Sequence, residues 1–309
     1  MIEKYLNNRL LILYILPFLF GSLATLSFSP FNFTFINLFI LPLFFYLLVY
    51  INKKSRSVYR KKPYKINFFI YGVAFGFGFY LSGISWITNS LTFDENFKIL
   101  IPFALILIPL FLSLFVGLTT LLIGKHLKLD FPSILIFSAS LALSDYLRAY
   151  VFTGFPWNLW AYSTVSMIDS LQIINIIGLH SYNLIVITIF TFPLIFFFKL
   201  SKIKKITGLM IVFSIILGLH IYGNYIINKN IKILDKTINK AYVKIISPNF
   251  DLEYGLNSKE IEKRFKKLIR YSNPDKEKET IFIWPEGAFS GYSYNEILSF
   301  KDLILKNFS

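Results

Sequence analysis

Seven apolar stretches, near 10–27, 33–51, 66–89, 98–123, 132–151, 171–198 and 206–223, constrain this chain more than any other feature. Each runs for roughly 18 to 28 residues, and at about 1.5 Å of rise per residue that is enough to cross a hydrocarbon core of about 30 Å. A water-soluble globule has only a limited core to fill. Thirty-five phenylalanines among 309 residues, with 55% hydrophobic and 16% charged residues, exceed what such a core absorbs. The sequence therefore predicts a multi-pass α-helical membrane bundle of about seven spans. The first stretch follows Lys4 and Arg9 much as a signal peptide would. Because similar stretches recur through residue 223, it reads as a first span.

The formal net charge of +15 points to nucleic acid only if the cations form a patch, and they do not. Of the 17 Lys and Arg residues before position 224, 15 fall in four segments. Lys4 and Arg9 precede the first span; Lys53, Lys54, Arg56, Arg60, Lys61, Lys62 and Lys65 follow the second. Lys125 and Lys128 follow the fourth, and Lys199, Lys202, Lys204 and Lys205 follow the sixth. The intervening loops carry Asp94, Glu95 and Asp169. Basic loops mark the cytoplasmic side. One orientation then satisfies every loop, with the N-terminus in the cytoplasm and everything after about residue 224 outside it, in the periplasm of a bacterial inner membrane. Nucleic acid is not an expected partner.

Composition changes after Asn224, where Lys, Asp and Glu become frequent and long apolar runs cease. AYVKIISPNF (241–250) reads as a strand stopped by Pro248, and Ile261, Phe265, Leu268 and Ile269 recur at helical spacing within 258–272. TIFIWPE (280–286) reads as a second strand and 294–306 as a further helix, an order that implies a parallel α/β layer with too few strands to close its sheet.

Several residues carry the chemistry. Gly72, Gly76, Gly78 and Gly83 place small residues along the third span, where they admit a neighbouring helix. His126, His180 and His220 are scattered, with no carboxylate at ligand spacing, so no metal is assigned. Asp145 and Arg148, three residues apart near the end of a span, share a helix face and are expected to pair and anchor the loop that follows. That loop, FTGFPWNLWAYS (152–163), is either an interfacial aromatic belt or a functional segment. Trp284 and Pro285 end the second strand of the soluble part and present Glu286 just beyond it. Catalytic groups collect at that edge of α/β sheets, so Glu286 is a candidate general base as well as an ordinary solvated glutamate. The chain has no cysteine, which excludes disulfides, thiolate metal sites and a cysteine nucleophile within these residues.

Three segments, DYLRAYVFTGFPWNLWAYS (145–163), ISPNF (246–250) and FIWPEG (282–287), resemble in order and spacing those of the apolipoprotein N-acyltransferase family, inner-membrane enzymes that add the third acyl chain to lipoproteins. The resemblance implies a transmembrane domain over 1–223 and, over 224–309, the incomplete start of a periplasmic α/β nitrilase-like (carbon-nitrogen hydrolase) domain. It implies a catalytic role for Glu286, with Trp284, Pro285, Asp145 and Arg148 structural near the site. Tyr254 stands where the family tends to place a substrate-binding tryptophan. The implied partners are a phospholipid acyl donor and a diacylated apolipoprotein acceptor at the membrane, with no metal or soluble cofactor. The family's catalytic lysine and cysteine and an eighth span are expected beyond Glu286, which lies 23 residues from Ser309. The chain as written is therefore expected to be inactive alone, through a truncated reading frame, an incomplete sequence or a missing C-terminal half. A multi-pass transporter and a non-catalytic membrane scaffold are the alternatives from other functional classes.

Overall fold

The structure is a computed structural model that describes residues 8–58, 64–152, 154–236, 242–251, 256–275, 277–289 and 292–308. It divides into two compact units, Met1–Ile231 and Lys232–Ser309.

In the first unit a π-helical turn, Leu11–Ile15, runs into α1 (Leu16–Ala24), followed by α2 (Asn37–Val58), α3 (Tyr64–Ile84), α4 (Ile101–Ile123) and α5 (Phe131–Tyr150). Then come two single-turn helices, α6 (Ile168–Leu171) and α7 (Ile174–Ile177), before α8 (Leu179–Thr191) and α9 (Lys202–Lys236). Asp130 starts α5 by accepting the Ser133 N–H at 3.0 Å, with a proline in the first turn where its missing N–H costs nothing.

Five helical stretches among the described residues are long and apolar enough to cross a membrane: Thr34–Lys54, Lys65–Thr92, Glu95–Ile123, Leu179–Phe197 and Lys202–Lys236. The apolar helix Leu11–Ser27 is shorter, and α5 carries the charged pair Asp145 and Arg148. The sixth apolar stretch of the sequence is divided, because Gly178 adopts φ +77° and α7 and α8 meet at this residue instead of forming one helix. The last helix is longer than its apolar stretch and continues to Lys236. Large side chains on it are open to the surroundings, Met210 at 64% and Phe213 at 65%, which suits lipid and not water.

Glycines set the spacing of the bundle. A Cβ at Gly76 would meet the Ser113 Cα of α4 at 2.9 Å, and one at Gly72 would overlap Thr120. On another face of α3, a Cβ at Gly78 would overlap the Phe18 carbonyl oxygen of α1. The helix interior is aromatic: Phe44 stacks on Phe75 at 4.0 Å and on Tyr71 at 5.1 Å, and Phe79 stacks on Trp160 at 5.0 Å.

The second unit pairs β1 (Tyr242–Ile245) with β2 (Thr280–Ile283) in parallel, Tyr242 opposite Thr280 and Ile245 opposite Ile283. Helix α10 (Ser258–Ser272) connects them, opened by a capping box between Asn257 and Glu260. It buries Ile261, Phe265, Leu268 and Ile269. The expected helix over 294–306 is two, α11 (Tyr294–Leu298) and α12 (Lys301–Phe308), separated where Phe300 turns inward to stack on Phe265 at 5.2 Å.

Candidate functional site

Each unit holds part of the predicted chemistry. In the bundle, Asp145 and Arg148 pair on one face of α5, Nη2 to Oδ1 at 3.1 Å, with Arg148 only 1% exposed. A buried ion pair depends on hydrogen bonds to its remaining donors and acceptors, and of the Arg148 nitrogens only Nε is buried without a partner among the described residues. Here Nη1 of Arg148 donates to the Phe155 and Trp157 carbonyls at 2.5 and 2.7 Å, and the guanidinium lies 5.2 Å from the Tyr80 ring centre. Asn183 of α8 donates to the other Asp145 oxygen at 2.9 Å and accepts the Ala161 N–H at 2.8 Å. Gly154 adopts φ +76°, and a Cβ there would overlap the Ala149 carbonyl. One buried pair therefore holds both ends of the loop.

A cavity of about 540 Å³ adjoins that loop, lined among others by Ser29, Gly83, Trp86, Trp157, Asn158 and Tyr162. Trp86 and Trp157 meet edge to face at 5.3 Å. The Asn158 amide nitrogen is buried without a hydrogen-bond partner among the described residues, and it packs so closely on Gly83 that a Cβ there would overlap it.

In the second unit Trp284, Pro285 and Glu286 follow β2 directly, and Glu286 is exposed in a turn that Gly287 closes at φ +73°. Trp284 is fixed by Nε1 donating to Ser272 Oγ at 3.0 Å and by packing edge-on to Phe265 at 6.0 Å. The turn is tied to its neighbour by Arg264, whose Nη1 donates to the Ala288 carbonyl at 3.2 Å and whose Nη2 donates to the Asp251 carbonyl at 3.0 Å. The loops after both parallel strands thus share one buried guanidinium. Tyr254 lies outside the described residues.

Sequence spacing missed Asn183, Arg264 and one further pair. A lone asparagine in an apolar span was the available signal for Asn183. His220 of α9 meets the Asp169 carboxylate, 51 residues away, and Asn224 Nδ2 approaches His220 Nε2 at 3.0 Å. Among the described residues no cluster of three or more His, Cys, Asp or Glu could hold a metal.

Residues 20–192, more than half of the chain, match the family model described as the apolipoprotein N-acyltransferase N-terminal domain. The chain belongs to the apolipoprotein N-acyltransferase family. It is 27% identical over 219 residues to the apolipoprotein N-acyltransferase of Brucella melitensis, an alignment covering 69% of this chain and 40% of that protein. It is 25% identical over 284 residues to that of Rhodopseudomonas palustris, covering 89% and 51%, and 26% identical over 279 residues to that of Bradyrhizobium diazoefficiens, covering 87% and 50%. The chain thus spans about half the length of these apolipoprotein N-acyltransferases, and the matches over 279 and 284 residues extend beyond the bundle into the second unit.

Proposed function

We propose that this chain is the membrane bundle and the first part of the catalytic domain of an N-acyltransferase that moves an acyl chain from a phospholipid to the N-terminal amine of a diacylglyceryl-cysteine lipoprotein. The observation that carries the reading is Glu286, exposed beyond the end of a parallel strand in a turn stapled by Arg264. In this reading the Glu286 carboxylate takes the proton of a cysteine thiol, and the thiolate attacks a phospholipid ester carbonyl. The ester C–O bond breaks, lysophospholipid leaves with a proton on its oxygen, and a thioester remains. The lipoprotein α-amine then attacks the thioester, the C–S bond breaks as the amide forms, and the proton lost by the amine goes to the thiolate to regenerate the thiol. A lysine steadies the oxyanion in both steps. With no cysteine among the 309 residues, the nucleophile belongs to sequence outside this chain.

The reading extends to the bundle and its orientation. We assign seven crossings, with α1 and α5 added to the five long apolar stretches and the second unit delivered to the periplasm as the first part of a nitrilase-like domain. Asn52 Nδ2 donates to the Lys125 and Leu127 carbonyls at 3.1 and 3.3 Å, and Arg9 donates to Asn67 at 3.2 Å, so three basic segments gather at one end of the bundle as a cytoplasmic face requires. At the other end, the tryptophan pair Trp86–Trp157 on the cavity beside the loop suits the polar–apolar junction of a phospholipid donor.

The test is acylation of a synthetic diacylated lipopeptide in membranes containing a phospholipid of defined chain length. The chain expressed with the coding sequence that follows Ser309 should add the mass of one acyl group. The chain alone, and the extended form with Glu286→Gln, should add none. Equal acylation by Glu286→Gln would remove Glu286 from the mechanism.

A further inference from the structure

On the bundle end that carries Arg9, a groove of about 520 Å³ runs between α1 and α4 over α3. Phe69, Val73 and Phe77, four residues apart, form its floor, with Tyr14 and Phe18 on one wall and Leu110 on the other. Apart from the Tyr14 hydroxyl every lining side chain is apolar, and Tyr14, Leu19 and Leu110 are 41–46% exposed, so the groove opens sideways to the surroundings. It exists because glycines draw the helices together on other faces of α3: Gly78 against Phe18 of α1, and Gly76 against Ser113 of α4. The π-helical turn Leu11–Ile15 contributes Tyr14 and Ile15 to the wall, and such turns recur at functional positions in helices.

Two cations precede the groove-lining segments of α1 and α3 in sequence, though neither lines the groove itself. Arg9 is exposed one turn before Tyr14, and its Nη2 donates to the neutral amide oxygen of Asn67 at 3.2 Å. Lys65 is exposed two residues before Asn67 on the first turn of α3. From Arg9 to Tyr14 is about 7 Å of rise and to Leu19 about 15 Å, so the groove occupies the half of a roughly 30 Å hydrocarbon core nearest the two cations.

We infer that this groove is a binding site for an anionic glycerophospholipid of the leaflet next to Arg9. One acyl chain lies along Phe69, Val73 and Phe77, and the phosphodiester sits between Arg9 and Lys65. A guanidinium and an ammonium at headgroup depth above an apolar trough match the two halves of such a lipid in the order in which a leaflet presents them. The site is at the opposite end of the bundle from the loop held by Arg148, so it is distinct from the acyl-donor position proposed above. Its occupant clamps α1 against α3 and is not consumed.

Native mass spectrometry tests this on the full chain, released from micelles after incubation with equal amounts of dioleoyl phosphatidylglycerol and dioleoyl phosphatidylcholine. Wild type should retain the phosphatidylglycerol adduct preferentially. Arg9→Gln with Lys65→Gln should lower that adduct roughly thirtyfold, the scale expected for losing two cations at an anionic headgroup. Lys202→Gln with Lys204→Gln should leave it unchanged. Ala74→Phe, which fills the trough, should lower retention of both lipids. Equal retention of the two lipids by wild type, an undiminished adduct in the Arg9/Lys65 variant, or the same loss in the Lys202/Lys204 control would each overturn the site. None of these readouts involves acyl transfer, so they stand or fall separately from the proposed activity.

Discussion

Asn183 and Asp145 lie 38 residues apart on α8 and α5 and share a hydrogen bond of 2.9 Å inside the bundle. Through it the carboxylate receives an amide donor on one oxygen and Arg148 on the other, and the Asn183 carbonyl reaches on to the Ala161 backbone. The loop 152–163 is therefore held from below by side chains of two helices.

Removing one member of this set leaves the others buried and unpaired. Arg148→Ala should destabilise the folded bundle by about 3–5 kcal/mol, the scale for breaking a buried pair from one side. Asn183→Leu should cost about 1–3 kcal/mol, the penalty of an unsatisfied buried donor or acceptor. Denaturant titration in detergent micelles measures both, and the two losses should be clearly sub-additive in the double variant because the residues share Asp145.

The glycines of the apolar spans differ sharply in what surrounds them. Gly76→Ala puts a methyl group within 3.0 Å of Ser113 and should be destabilising by roughly 1–3 kcal/mol. Gly218→Ala, on α9 with nothing within 4 Å, should be neutral or stabilising by about 0.5–1 kcal/mol. The same titration compares them, and an equal cost for both would contradict the packing described for α3.

These positions also mark how far the sequence could be read. Asp145 and Arg148 advertise themselves because charges in an apolar span need a partner, and three-residue spacing names it. The acceptors that Arg148 engages are backbone carbonyls of Phe155 and Trp157, which carry no residue-type signal at all. Nothing in its spacing separates Arg264 from the other charges of an amphipathic helix, yet it is 8% exposed and joins the turn at Ala288 to the loop at Asp251. The strands 242–245 and 280–283 were legible as β-branched runs, whereas the division of the sixth apolar stretch at Gly178 was hidden within otherwise continuous hydrophobicity.

Arg264→Met keeps a long side chain at this position and removes the guanidinium, which lies 4.8 Å from the Phe250 ring centre and donates to both loops. Limited chymotrypsin digestion should then cut at Phe250 and Phe289 several-fold faster than in wild type, and α10 itself should stay protected. Unchanged cleavage would show that the loops are ordered by other contacts.

The Glu296 carboxylate accepts both the N–H and the hydroxyl of Ser293, at 2.8 and 2.7 Å, and these bonds hold its pKa below the ordinary glutamate value. A depressed folded pKa means that the cap favours the folded state above the unfolded-state pKa and loses that effect as pH falls through the folded one. Carbon-detected titration should place Glu296 below the ordinary value in wild type and return it upward in Ser293→Ala.

The proposed function requires the bundle to place the second unit, with Glu286, on the side of the membrane opposite its basic loops. Because the chain has no cysteine, a single introduced thiol reports its own side without background. Lys263→Cys and Lys128→Cys place that thiol at exposed positions of the second unit and of a basic loop. In intact spheroplasts treated with a membrane-impermeant maleimide, Lys263→Cys should be labelled at once and Lys128→Cys only after lysis. Labelling of Lys263→Cys only after lysis would contradict this placement.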